Sequence, residues 1–185
     1  LSILVLLKND FRKSILPKRR LTLPQKKDMT IQIGQTAPDF SLRDTDKNVV
    51  TLGEQHGKNV ILLFFPLAFT SVCTKELCMT RDNLTMYNDL NATIFGISVD
   101  SLFSLKRFKE DQQLNFSLLS DFNKTTSAAY GCLYQHFFND MDGVSKRSAF
   151  VIDTEGIVRY AEVLENAGDM PNFDAINECL KQLNN

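Results

Sequence analysis

Two cysteines five residues apart, Cys73 and Cys78, occupy the stretch FFPLAFTSVCTKELC (64–78), which follows directly on an apolar run. A thiol does chemistry as the thiolate, so the question is what in this stretch would favour that form. Residues 60–65 are a strand candidate. Pro66 fixes φ and halts ladder pairing, so the chain must turn there. Thr70 or Ser71 is placed to cap a helix through its side-chain oxygen. Cys73 then falls in the first helical turn, where free N–H groups and the positive end of the helix dipole favour an anion. In open α/β sheets, sites lie beyond the C-terminal ends of strands, and 60–65 delivers the chain to such an end. Taken alone, the same pattern also suits an inert buried cysteine. The neighbours add to it. Thr70, three residues before, can hydrogen-bond the thiolate or an oxygen bound to it. Glu76, three residues after, lies on the same side of the helix and opposes the thiolate unless an Arg or Lys neutralises it. The reactive reading therefore requires a basic partner from elsewhere in the chain.

The elements that must position these residues are legible as periodicity. Short runs rich in Val, Ile and Phe predict strands at 49–52, 60–65, 93–99, 149–153 and 157–163. The two central ones, 60–65 and 93–99, are apolar almost throughout, as strands covered on both faces are. Helical spacing predicts helices at 74–90, 101–113, 123–130 (closed by Gly131) and 173–183. The strand–helix–strand–helix–strand order gives an α/β fold with parallel central strands. The tight TEG link (154–156) makes the last two strands antiparallel. The fold class is thus α/β, a mixed central sheet with helices on both faces.

Composition excludes several classes. The chain of 185 residues can bury a core of its own. No apolar run approaches the roughly 20 residues of a membrane-spanning helix. Residues 1–28 carry eight Lys and Arg against two Asp, leaving 13 basic and 20 acidic residues in 29–185, an acidic balance that suits no nucleic acid. The expectation is a basic leader or non-native upstream extension without fixed structure at 1–28, a targeting or anchoring segment being the alternative, followed by one domain at 29–185. The four cysteines (73, 78, 132 and 179) do not make a disulfide-stapled secreted domain, and a cytoplasmic chain is expected. Zinc is a poor reading: four residues separate Cys73 from Cys78, no second pair follows, and the histidines are His56 and His136.

At this point PLAFTSVC resembles the Pro-x-x-x-Thr-x-x-Cys signature of the peroxiredoxins, thiol-dependent peroxidases. GQTAPDFSLRD (34–44), LLSDFNKTTSAAYG (118–131) and KRSAFVIDTEGIVRY (146–160) resemble further segments of that family, in order. The resemblance implies a thioredoxin-like fold and a role for each residue. Cys73 would be the peroxidatic cysteine, attacking hydrogen peroxide or an organic hydroperoxide and becoming a sulfenic acid. Thr70 would orient the peroxide and Pro66 would shield the site from water. Arg147 would be the missing cation, with Glu76 holding it. No metal, haem or flavin is implied. The reductant would be thioredoxin or a similar dithiol, and the protein a monomer or homodimer.

Cys78 divides two subgroups. Its spacing resembles the bacterioferritin-comigratory members, whose resolving cysteine lies five residues downstream. The stretch also resembles the members related to alkyl hydroperoxide reductase E, where resolution differs. In a continuous helix, residues five apart are separated by about 7.5 Å along the axis and about 140° around it. A disulfide requires Cα atoms within about 7 Å and converging Cβ atoms. A Cys73–Cys78 bond therefore demands that the start of the helix unwind. Cys132 and Cys179 read first as packing residues, and Phe137, Phe138 and Met141 as either a patch beside the site or core. A second class of function, a peroxide sensor signalling through a disulfide with a partner, keeps the same reactive Cys73. The absence of Cys-x-x-Cys argues against a disulfide oxidoreductase.

Overall fold

Seven strands form one mixed sheet in the computed structural model, which describes residues 31–184. The expectations for residues 1–28 lie outside the described residues. The sheet's centre is β3 (Asn59–Phe64) paired in parallel with β4 (Ala92–Ser98), which pairs in parallel with β5 (Ser117–Ser120). On the far side of β5 lie β1 (Ser41–Asp44) and β2 (Val49–Thr51), both antiparallel to their neighbours. On the other side of β3 lie β6 (Ser148–Ile152) and β7 (Val158–Val163), also antiparallel. The order across the sheet is β2-β1-β5-β4-β3-β6-β7.

All six residues of β3 are buried, and their alternation divides the core in two. Ile61, Leu63 and Phe65 point to one face, where they meet Leu77, Leu105, Phe108, Ile176 and Leu180. Val60, Leu62 and Phe64 point to the other, against Phe40, Leu42, Tyr130, Cys132 and Phe150. The first face is covered by α1 (Ser71–Asp82), α2 (Leu84–Asp89), α3 (Leu102–Asp111) and α5 (Phe173–Leu183). The second is covered by residues 37–52 and by the end of α4 (Thr125–Ala129). Helix α4 stops in a Schellman motif: the Cys132 N–H donates to the Ser127 carbonyl and the Gly131 N–H to that of Ala128, with Gly131 at φ +67°. Among the described residues no helix is long and apolar enough to cross a membrane.

Three local expectations need correction. Strands β1 and β5 are absent from the sequence reading, because each is four residues long and offers too short an apolar alternation. The next strand expected after the helix at 101–113, at 149–153, is β6 and runs antiparallel to β3, and the third parallel strand is β5. The single helix expected at 74–90 is two, broken at Asn83, whose side-chain Nδ2 donates to the Met79 carbonyl at 2.8 Å and competes with the helical ladder.

Gly96, in β4, leaves room for the side chains of Leu118, Phe116 and Phe65 packed over it. A Cβ there would lie 2.6 Å from Leu118 Cδ2, a side chain with no exposed surface on β5. Gly96→Ala is expected to destabilise the fold by about 1–3 kcal/mol through overpacking, read as a lowered urea midpoint at unchanged slope.

Candidate functional site

Beyond the C-terminal end of β3 the chain passes through buried Pro66 into a loop held by a neighbouring strand. Asp100, just past β4, accepts the Ala68 N–H and the Ser98 hydroxyl, both at 2.8 Å. Phe69 adopts φ +65°, a conformation a bulky residue rarely takes, and its ring packs edge-on against Phe108 of α3 at 5.1 Å between centroids. Loop and helix start are thereby tied to both the sheet and α3. Asp100 was not singled out from the sequence. Its signal was an acid directly after a central strand (SVD), but its contact to Ala68 depends on the β3–β4 register.

Thr70 occupies the N-cap position of α1 with extended backbone angles. The expected side-chain cap is not made: the Thr70 hydroxyl donates to the Leu67 carbonyl at 2.9 Å, turning back along the loop. The first intrahelical bond runs from the Thr74 N–H to the Thr70 carbonyl. The N–H groups of Ser71, Val72 and Cys73 therefore have no partner within the helix, and the positive end of α1 surrounds Cys73.

Cys73 is 1% exposed and lies at the floor of a cleft of about 520 Å³. Pro66, Thr70, Val72, Tyr134, Phe137, Phe138 and Arg147 are among the residues that line it. Of the apolar trio noted in the sequence, Phe137 and Phe138 line this cleft, while Met141 is not among the lining residues. Arg147 stands just before β6, is 1% exposed, and ties three elements together. Its Nη2 donates to Cys73 Sγ at 3.3 Å and to the Ala167 carbonyl at 2.9 Å. Its Nη1 donates to Glu76 Oε2. Burial disfavours the guanidinium charge, but Glu76 and Cys73 beside it outweigh burial and hold its pKa above the ordinary value.

Glu76 has no exposed surface, and its Oε1 has no hydrogen-bond partner. Burial pushes its carboxyl up to about 7, with Arg147 opposing the shift. One guanidinium thus serves two groups, a thiol in front of it and a carboxyl behind it. Pro66, Thr70, Cys73 and Arg147 meet in one cleft, and Glu76 supports Arg147 from behind.

Cys78 does not line this cleft. It lies on another side of the intact α1, half-buried, and its Sγ approaches Gln112 Oε1 at 3.7 Å. Cys132 is fully buried in the second core cluster, where burial pushes its thiol far up, and Cys179 packs half-buried against the first. All four cysteines are free thiols.

The chain is similar to known proteins over most of its described length. Residues 33–161 match the AhpC/TSA family. The alkyl hydroperoxide reductase E of Mycobacterium tuberculosis is 41% identical over 136 residues, 72% of this chain and 86% of that protein. The mitochondrial thioredoxin-dependent peroxide reductase of Drosophila melanogaster is 34% identical over 161 residues, 82% of this chain and 65% of that protein. Among solved structures, peroxidoxin BcpB of Mycobacterium tuberculosis superposes with a TM-score of 0.73 at 30% identity, covering 83% of this chain and 98% of that one.

Proposed function

The chain belongs to the AhpC/TSA family and is a peroxiredoxin, an enzyme that reduces peroxides through a thiol, and on that premise we propose that Cys73 is the attacking thiol and Cys78 its resolving partner. The observation that carries this reading is the Arg147 guanidinium 3.3 Å from Cys73 Sγ at the floor of the cleft. The Cys73 thiolate attacks the terminal oxygen of hydrogen peroxide or an organic hydroperoxide. The S–O bond forms as the O–O bond breaks, the leaving oxygen takes a proton to become water or an alcohol, and Cys73 becomes a sulfenic acid. Arg147 and the free N–H groups of the first turn of α1 are fixed donors for charge moving along the O–O bond. Thr70 presents its hydroxyl at the mouth, and Pro66 excludes water from the thiol. Glu76 keeps the guanidinium in place.

Cys78 then attacks the Cys73 sulfur. The S–O bond breaks, water leaves, and a disulfide results. With α1 intact the two thiols face different ways, so this step needs the first turns to unwind. A dithiol such as thioredoxin then restores both thiols, as the name of the Drosophila relative suggests.

Intact mass after one equivalent of hydrogen peroxide tests this, comparing the full chain with its Cys73→Ser and Cys78→Ser variants. Loss of two hydrogens is expected in the wild type, abolished by either substitution, with a trapped sulfenic acid in Cys78→Ser. One added oxygen in the wild type would make the resolving thiol external. An unchanged mass would overturn the assignment of Cys73.

A further inference from the structure

The second thiol has surroundings of its own, built by α1 and the end of α3. Gln112, the C-cap residue of α3, is the hub. Its side-chain Oε1 is 3.7 Å from Cys78 Sγ, so the S–H donates to it. Its main-chain carbonyl accepts from Arg81 Nη1 at 2.6 Å. Arg81 follows Cys78 by three residues on α1, which places both on neighbouring turns of one helix face. Thiol and guanidinium thus converge on a single residue. A cation at the end of α3 is sufficiently explained by the negative end of that helix. The approach of a thiol to the same residue is not.

We propose that Arg81 and Gln112 form the seat of the resolving thiol, with Arg81 as a positioning residue whose charge supports Cys78 as the attacking thiolate. This rests on the reading of Cys78 as the resolver. The neighbouring charge is Asp82, which accepts from Arg81 Nε at 2.8 Å and leaves Nη1 to Gln112. The seat is fastened to the α3–β5 turn a second time, by the Asn115 side chain donating to the Arg81 carbonyl at 3.3 Å. Leu77, without exposed surface, anchors the same half of the helix in the core. The start of α1 is held differently, by the Phe69 ring on α3 and by Arg147, which donates to Cys73 and Glu76. The disulfide step thus requires Cys73 to leave its Arg147 contact, while the ties of Cys78 and Arg81 to the end of α3 hold the second thiol at its seat.

The step balances. The Cys78 thiolate forms the S–S bond, the S–O bond of the Cys73 sulfenic acid breaks, and the departing hydroxide takes the proton that Cys78 gave up. The cation acts on the negative charge that the Cys78 sulfur carries into the attack.

Two rates separate the possibilities: formation of the Cys73 sulfenic acid, and its conversion to the disulfide, both followed by quenched intact mass in the full chain. Arg81→Gln is expected to slow the second by about tenfold relative to the first, and Arg81→Lys to recover most of that loss. The first rate reports whether the Cys73 site is intact. Gln112→Leu leaves the main-chain contact of Arg81 in place and removes only the acceptor of the Cys78 S–H; an acceptor there favours the neutral thiol, so its loss is not expected to slow the second rate. Disulfide formation at the wild-type rate in Arg81→Gln overturns the proposal while leaving Cys78 the resolver. Equal slowing by Lys and Gln also overturns it, since the charge would then not be the cause. A wild type that stops at the sulfenic acid overturns the reading of Cys78 itself.

Discussion

Replacing Arg147 by Met is expected to slow the reaction of Cys73 with hydrogen peroxide by roughly 10²–10³-fold and to destabilise the fold. The rate falls because the guanidinium is a fixed donor 3.3 Å from the sulfur, in a site where Cys73 is almost wholly out of water. Stability falls because Glu76 is left buried without its cation. Breaking a buried pair from one side typically costs about 3–5 kcal/mol. The second loss depends on pH in a defined direction: in acid Glu76 takes a proton and the penalty shrinks, and in base it is paid in full. The double variant Arg147→Met/Glu76→Gln is expected to recover much of the stability and none of the rate. A stopped-flow rate within threefold of wild type in Arg147→Met would remove Arg147 from the reaction.

Glu76 gives the wild type a characteristic dependence of stability on pH. Its carboxyl is raised from 4.5 to about 7 in the folded chain, burial prevailing over Arg147. Between those values the folded chain holds a proton that the unfolded chain has lost. The contribution to stability is therefore fully present below pH 4.5 and is lost as pH rises toward 7, by about 3 kcal/mol in total. The charged group facing Glu76 is Arg147, which also contacts the Cys73 thiol. The measurement is best made in a Cys73→Ser background, where the thiol no longer takes part. Urea unfolding at pH 5 and pH 8 should show a larger fall in the chain with Glu76 than in the one with Glu76→Gln. Equal falls in both would mean that Glu76 is ionised across the range.

The parts of this molecule that were legible in the sequence are those written contiguously. Strand, proline, turn, helix start and Cys73 follow one another within residues 60–76, so local chemistry alone predicted where the thiol would stand. The need for a cation followed from Glu76, but nothing local pointed to Arg147, 71 residues away; only the resemblance of KRSAF to a family segment did so. Asp100 and Gln112 escaped notice for a related reason. They reach Ala68 and Cys78 across 32 and 34 residues, through sheet register and helix packing that periodicity does not encode. Thr70 shows the converse error. Its type and position suit a cap, yet its hydroxyl turns back to Leu67, because the loop offers that carbonyl first. The four-residue strands β1 and β5 gave too little alternation to be seen.

The alternation along β3 has one more consequence. The two clusters it separates hold one buried cysteine each, Cys73 of α1 in the first and Cys132, just past α4, in the second. A seven-stranded wall of paired backbone stands between them. The two thiols therefore pack in different clusters, and a bridge between Cys73 and Cys132 would require at least one of them to leave its own. The partition acts as quarantine: the reactive thiol and the spare one are packed in separate chambers.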